Sequence, residues 1–142
     1  KSLNYLNNIL GKIEAIQAGV TEAVMLDQGG FVTECTGDNI FMIKGKTLIT
    51  PPVSAGILSG ITRAAVLELA GSVGLKAEER MITRFDLYNA DELFLTGTAA
   101  EIIPVVEMDS RRINGGAVGA LTLKLTAAFR GVTKKDGVRY AV

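Results

Sequence analysis

The sequence predicts a single compact domain of the α+β class over residues 1–142, and three observations support this prediction. The apolar fraction is 48% of 142 residues, which is enough for a substantial core. Four short segments with strand-like composition follow one another, separated only by glycine-containing turns, as in an antiparallel sheet. Three longer segments repeat apolar residues at the spacing of a helix face.

The elements follow in this order along the chain. The first helix carries its apolar stripe on Leu3, Leu6, Leu10 and Ile13 and is expected to end near Gly19. Strands are predicted at Ala23–Asp27, Phe31–Cys35, Ile40–Lys44 and Thr47–Thr50. A second helix is predicted from Ile61 to Val73, then a strand at Lys76–Ile82 and a short turn or helix at Phe85–Asn89. The last predicted elements are strands at Glu92–Leu95 and Ile102–Glu107, a turn at Ile113–Gly116 and a helix from Val118 to Phe129.

Composition excludes several classes of function. Fifteen basic and fifteen acidic side chains cancel, so no net charge favours nucleic acid or an anionic membrane surface. The chain has no histidine, which excludes Ser-His-Asp catalysis and most zinc sites, and we predict no metal site. Its one cysteine, Cys35, cannot form an internal disulfide. We therefore expect a cytoplasmic protein without nucleic-acid or membrane partners.

Two segments have the composition of anion-binding turns. Gly60-Ile61-Thr62 stands where a loop enters a helix, and the first N–H groups of a helix have no partner within it and bind phosphate well. Thr96-Gly97-Thr98-Ala99 joins two apolar strands; its glycine permits close backbone approach, and its hydroxyls can donate to phosphate or carboxylate oxygens. Each segment taken alone is also compatible with an ordinary helix cap or turn.

Two charged residues are candidates for chemistry. Glu34 shares a strand face with Val32, so burial of that face would require a partner for its carboxylate. A protonated pyridine nitrogen would serve, and so would an ion pair with an arginine such as Arg63. Lys1 precedes Tyr5 by four residues, which places both on one face of the following helix.

Four motifs together resemble the branched-chain amino acid aminotransferases, which are pyridoxal-phosphate enzymes of fold type IV. They occur in the family's order and spacing, over nearly the whole chain: Lys1-Ser-Leu-Asn-Tyr5-Leu-Asn-Asn8, Glu34-Cys-Thr-Gly-Asp-Asn-Ile-Phe41, Gly60-Ile-Thr-Arg63 and Thr96-Gly-Thr-Ala-Ala-Glu101. The resemblance implies the large C-terminal, cofactor-binding domain of the D-amino acid aminotransferase-like fold, in which mixed strands form a pseudo-barrel with flanking helices. The smaller N-terminal domain of such enzymes is expected to be absent from this chain.

The resemblance also implies a role for each matching residue. Lys1 corresponds to the catalytic lysine that forms the Schiff base with pyridoxal 5'-phosphate, Tyr5 to the tyrosine near the ring oxygen, and Glu34 to the partner of the pyridine nitrogen. The phosphate is expected to bind at the backbone of Ile61 and Thr62 and at the hydroxyl of Thr98. Gly37 is expected to line the substrate side-chain pocket, and the amides of Thr98 and Ala99 are expected to bind the substrate carboxylate.

The implied activity is transfer of an amino group between leucine, isoleucine or valine and 2-oxoglutarate, in a homodimer or higher homo-oligomer. Two alternatives use the same fold: an aminodeoxychorismate lyase and a D-amino acid aminotransferase. The D-specific enzymes usually carry leucine in place of Tyr5 and Ser-Thr-Thr in place of Gly97-Thr98-Ala99, so both positions favour the L-specific activity. A third alternative is a domain that keeps the fold without catalysis. The 142-residue chain by itself is expected to be inactive, because one wall of the substrate pocket would be missing.

Overall fold

The computed structural model describes residues 3–135 and 137, and these residues form the predicted α+β fold. The α-helices are α1 (Leu6–Gln17), α2 (Ile61–Leu69), α3 (Arg84–Tyr88) and α4 (Ala120–Thr133). The strands are β1 (Val24–Leu26), β2 (Val32–Cys35), β3 (Asn39–Lys44), β4 (Thr47–Thr50), β5 (Lys76–Glu79), β6 (Glu92–Gly97), β7 (Glu101–Val105), β8 (Glu107–Met108) and β9 (Arg111–Arg112). Short 3-10 turns occupy Val53–Ala55, Ala70–Val73 and Asn114–Gly116.

The main sheet has five strands in the order β5-β4-β3-β6-β7. Its pairs are antiparallel except β4 with β5, which run parallel and are connected through α2. The strands β1 and β2 form a separate antiparallel pair, and β8 and β9 form another. Across the described residues the main sheet is open, so the strands of the implied pseudo-barrel do not close into a barrel there.

Both faces of the main sheet are buried, and the alternation of side chains in β3 shows how. Ile40 and Met42 point to the face covered by β2 and α3, whereas Phe41 and Ile43 point to the face covered by α2 and α4. On the second face the ring of Phe41 stacks on that of Phe94 in β6, with centroids 5.1 Å apart. The sheet is therefore the middle layer of the domain.

The first helix differs from the prediction, because its apolar stripe is not part of the core. Leu3 precedes the helix and is 97% exposed, and Ala15 is the buried residue of α1. The rest of the stripe lies at the surface, with exposures from 43% to 64% for Leu6, Ile9, Leu10, Ile13 and Ile16. We call these five side chains the α1 apolar face.

The strand predicted at Lys76–Ile82 is shorter than expected and ends at Glu79. After Arg80, whose N–H still donates to the carbonyl of Thr50 in β4, the chain pairs with β2 instead: the N–H of Val32 donates to the carbonyl of Ile82 at 2.8 Å. Ile82 is fully buried there. The hairpin of β8 and β9 was not predicted, since strands of two residues leave no periodic signal. No helix in the described part of the chain is long and apolar enough to cross a membrane.

Candidate active site

A cavity of about 240 Å³ opens at one end of the main sheet. Antiparallel pairing places Asn39, the first residue of β3, opposite Thr96 near the end of β6. The first turn of α2 and the turn before β3 complete the wall. The cavity is lined by Tyr5, Glu34, Gly37, Asp38, Asn39, Leu58, Ser59, Gly60, Ile61, Thr62, Thr96, Gly97 and Thr98.

The structure brings most of the predicted site residues to this one cavity. Six of them line it: Tyr5, Glu34, Gly37, Ile61, Thr62 and Thr98. Ala99 lies in the same turn as Thr98, but it does not line the cavity. Lys1 lies outside the described residues. The cavity therefore unites segments that are far apart in sequence, from Tyr5 to Thr98.

The N-terminus of α2 forms one wall of the cavity. Gly60 precedes the helix in an extended conformation and has no side chain with which to cap the first turn. Thr62 is buried, whereas Ile61 is 74% exposed. The N–H groups of the first turn and the helix dipole together favour an anion at this position.

Glu34 also lines the cavity and accepts hydrogen bonds from two amide groups. Its Oε2 accepts from Nδ2 of Asn39 at 3.0 Å and from the backbone N–H of Leu58 at 3.0 Å. Arg63, the alternative partner considered for Glu34, is directed elsewhere: its guanidinium donates to the carbonyl of Pro51 at 2.9 Å and forms an ion pair with Glu79. The Arg63 alternative is therefore wrong.

The helix α1 is held against the turn that precedes β3. Tyr5 lies just before Leu6, the first residue of this helix. Asn8 donates to the carbonyl of Thr36 at 2.9 Å. A side chain at Gly11 would collide with Met25, since an added Cβ would lie 2.7 Å from the sulfur. This close packing positions Tyr5, which is partly exposed, at the cavity.

The carboxylate of Glu22 also stabilises the turn before β3. It accepts hydrogen bonds from the N–H of Thr36 at 3.0 Å, from the hydroxyl of Thr36, and from the N–H of Ala23 at 2.8 Å. Burial raises the pKa of Glu22, but these hydrogen bonds and the nearby Lys12 outweigh it, so the pKa is lowered from its ordinary value. The ionised form of Glu22 thus fixes the position of Thr36, which directly precedes Gly37 in the wall of the cavity.

Cys35 stands next to Glu34 but is not suited to act as a nucleophile. The side chain is buried, and burial raises the pKa of its thiol well above the ordinary value, with the carboxylates of Glu22, Asp38 and Glu34 raising it further. The thiol therefore stays protonated at neutral pH, and a thiol is a poor nucleophile compared with a thiolate.

Sequence reasoning missed several residues that line the cavity, above all Asn39, Asp38 and Thr96. Asn39 and Thr96 are buried, and the hydroxyl of Thr96 has no hydrogen-bond partner among the described residues. Asp38 packs so closely on Gly97 that a Cβ there would lie 2.2 Å from its Oδ1. The polar residues of the motif around Glu34 were a usable signal, since a buried asparagine in a strand requires partners.

Comparison with known proteins assigns the family. The Amino-transferase class IV family matches residues 1–108 of the 142. The chain belongs to this family. A relative of this class IV chain, from Methanocaldococcus jannaschii, is 55% identical over 139 residues, which cover 98% of the chain and 48% of the relative. That relative is provisionally named a branched-chain-amino-acid aminotransferase.

Two solved structures of similar fold agree with this assignment. The branched-chain amino acid aminotransferase of Escherichia coli superposes with a TM-score of 0.88 at 40% identity, over 91% of the class IV chain and 44% of the E. coli chain. The branched-chain amino acid aminotransferase of Thermobaculum terrenum, solved in its PLP-bound holo form, superposes with a TM-score of 0.88 at 41% identity. The superposition covers 92% of the class IV chain and 43% of the T. terrenum chain. The class IV chain thus spans less than half the length of these relatives.

The polar groups that line the cavity fit a phosphorylated pyridine cofactor. An acidic acceptor, Glu34, lines the cavity together with the first turn of α2, whose N–H groups are donors. The hydroxyl of Thr98 adds a donor from the turn between β6 and β7. The carboxylate of Glu34 suits a protonated ring nitrogen. The N–H groups of α2 and the hydroxyl of Thr98 suit a phosphate dianion.

Proposed function

We propose that the protein transfers the amino group of leucine, isoleucine or valine to 2-oxoglutarate, with pyridoxal 5'-phosphate as its cofactor. The observation that carries the proposal is that six of the predicted site residues line one cavity. The family and the names of the relatives support amino transfer with branched-chain amino acids.

The resemblance implies the roles of the cofactor-binding residues, and the polar groups that line the cavity support these roles. When bound, the cofactor supplies an electron sink for cleavage of a bond at the substrate's Cα atom. The carboxylate of Glu34 would hold a proton on the ring nitrogen, and Tyr5 would lie near the ring oxygen. The backbone N–H groups of Ile61 and Thr62 and the hydroxyl of Thr98 would bind the phosphate.

The roles of the substrate-binding residues rest more on the resemblance. Lys1 would act as general base and acid, taking the proton from Cα with its amine and later returning a proton. Gly37, which has no side chain to fill the cavity, would leave room for an apolar substrate side chain. The amides of Thr98 and Ala99 would bind the substrate carboxylate, although Ala99 does not line the cavity in this structure.

The chain would then be the cofactor-binding domain of a longer enzyme that forms a homodimer in the cytoplasm. The lengths of the relatives support the first part, since the chain spans 48% of one and 44% of another. Sedimentation of the full-length protein tests the dimer.

The decisive experiment is an amino-transfer assay with the full-length protein. Leucine and 2-oxoglutarate should yield glutamate, whereas D-leucine should not react and aminodeoxychorismate should not release pyruvate. Glu34→Gln should retain the cofactor but lose turnover by orders of magnitude, because an amide cannot hold a proton on the ring nitrogen. Glu107→Gln, an exposed change in β8, is the matched control and should leave turnover unchanged. Pyruvate release without glutamate formation would refute the proposal in favour of a lyase.

A further inference from the structure

Asn39 is a buried residue at the cavity, and its side-chain amide donates to two different segments of the chain. Its Nδ2 donates to Oε2 of Glu34 at 3.0 Å and to the carbonyl of Leu58 at 2.9 Å. The backbone N–H of Leu58 donates to the same Glu34 oxygen. The three residues therefore form a closed triangle of hydrogen bonds, which uses both N–H donors of the Asn39 side chain.

The same triangle reaches the N-terminus of α2. The carbonyl of Leu58 also accepts from the N–H of Gly60 at 2.9 Å, and Gly60 is the residue that precedes the first turn of the helix. The other atom of the amide, Oδ1 of Asn39, packs against Gly60 so closely that an added Cβ would lie 2.3 Å from it. Asn39 thus touches the Glu34 wall and the α2 wall through one rigid planar group.

We infer that Asn39 is a positioning residue that couples the orientation of the Glu34 carboxylate to the position of the phosphate-binding first turn of α2. This inference rests on the proposed function, because that function gives the two walls their ligands. Without the Asn39 donors, Glu34 loses one of the amides that orient its Oε2. The carbonyl of Leu58 loses one of the two donors that hold the loop before α2. In this role Asn39 acts through Glu34 and Leu58.

The test uses the full-length protein with and without cofactor. Asn39→Ala and Asn39→Asp remove the donors, the second with little change in shape, and Asn89→Asp is the matched control, since Asn89 donates to the carbonyl of Phe85 at an exposed position. The measurements are the dissociation constant for pyridoxal 5'-phosphate, the absorbance spectrum of the bound cofactor against pH, and the affinity of the cofactor-free protein for inorganic phosphate. Both Asn39 variants should weaken cofactor binding by about 10- to 100-fold, the range for hydrogen bonds to charged groups. They should also weaken phosphate binding and shift the pH titration of the spectrum.

A double-mutant cycle separates positioning from a merely structural role. Asn39→Ala in a Glu34→Gln background should shift the pH titration of the spectrum much less than it does alone, because no carboxylate is left to orient, whereas the loss of phosphate affinity should remain, because the contact with Leu58 is still removed. Additive effects on the pH titration of the spectrum, or an unchanged spectrum and unchanged phosphate affinity in the single variants, would overturn the inference. A wild-type protein that binds no cofactor would instead overturn the proposed function.

Gly60→Ala disturbs the contact between Gly60 and Asn39 through its other partner. This variant serves if the Asn39 variants do not fold. The added Cβ would displace the Asn39 side chain without removing it, so this variant should reproduce the weaker cofactor binding and the shifted spectrum. Wild-type affinity and spectrum in a folded Gly60→Ala protein would contradict the inference.

Discussion

Replacing Glu92 with alanine should destabilise the domain by about 2 to 7 kcal/mol, because this carboxylate caps helix α4 and buried hydrogen-bond partners would be left unpaired. Glu92 lies in β6 and is 9% exposed. Its Oε2 accepts from the N–H and the hydroxyl of Thr122, both at 2.7 Å, and its Oε1 accepts from the N–H of Leu121 at 3.1 Å. One side chain therefore fixes the start of α4 to the central sheet.

The magnitude follows from the groups that would lose their acceptor. Thr122 is 1% exposed, so alanine at position 92 would leave its N–H and its hydroxyl buried without this acceptor, at about 1 to 3 kcal/mol each. Loss of the negative charge at the helix N-terminus adds about 0.3 to 1 kcal/mol. Glu92→Gln should cost only about 1 to 2 kcal/mol, because its side-chain carbonyl can still accept from Thr122.

The assay is urea denaturation followed by circular dichroism, with the free energy of unfolding extrapolated to water. Glu101→Gln is the control, since Glu101 also connects the sheet to α4 through an ion pair with Arg130, but the two side chains are 42% and 64% exposed. An exposed pair contributes about 1 kcal/mol or less. A loss below about 1 kcal/mol in Glu92→Ala would refute the capping argument.

Three further predictions concern the site and its supports. Lys1→Ala should abolish borohydride trapping of the cofactor on the protein while circular dichroism shows an unchanged fold; trapping at another lysine would refute the assignment. Thr98→Val should weaken cofactor binding by about 1.5 to 3 kcal/mol, because a hydrogen bond to a charged phosphate is lost, and an unchanged affinity in a cofactor titration would show that the phosphate binds elsewhere. The stability advantage of the wild type over Glu22→Gln should be present above the ordinary pKa of Glu22 and should disappear as the pH falls through its lowered pKa, because protonation removes the charge that accepts from Thr36. Urea denaturation at a series of pH values measures that advantage, and an advantage that persists in acid would contradict this role.

The strands and turns could be predicted because their signals are local. Gly45 has a positive φ of 57° in the turn between β3 and β4, a conformation that glycine adopts without strain, and such a residue marks a turn in the sequence itself. Gly74 ends the 3-10 extension of α2 in the same way, with φ of 80°. Alternation in β3 and β6 is masked by burial on both faces, yet their short apolar runs still indicated strands.

The missed features depend on contacts between distant segments. Whether α1 is covered cannot be read from its stripe, because the stripe shows only that one face of the helix suits a partner surface. Ile82 was assigned to the predicted strand after α2, but its pairing with Val32 is a tertiary contact between segments far apart in the chain. The site was located through motifs, whereas the hydrogen bonds of Asn39 to Glu34 and Leu58 required the fold to bring three segments together.

The two edge strands of the open main sheet are both poorly suited to pairing with a strand of another copy. At one edge, β5 has the sequence Lys-Ala-Glu-Glu, and charged side chains there oppose the addition of a further strand. At the other edge, β7 contains Pro104, which has no N–H to donate to a neighbour. Both edges are thus protected against the strand-to-strand growth that leads to fibrils. Association through the α1 apolar face would instead bury aliphatic side chains and would leave the sheet at its present width.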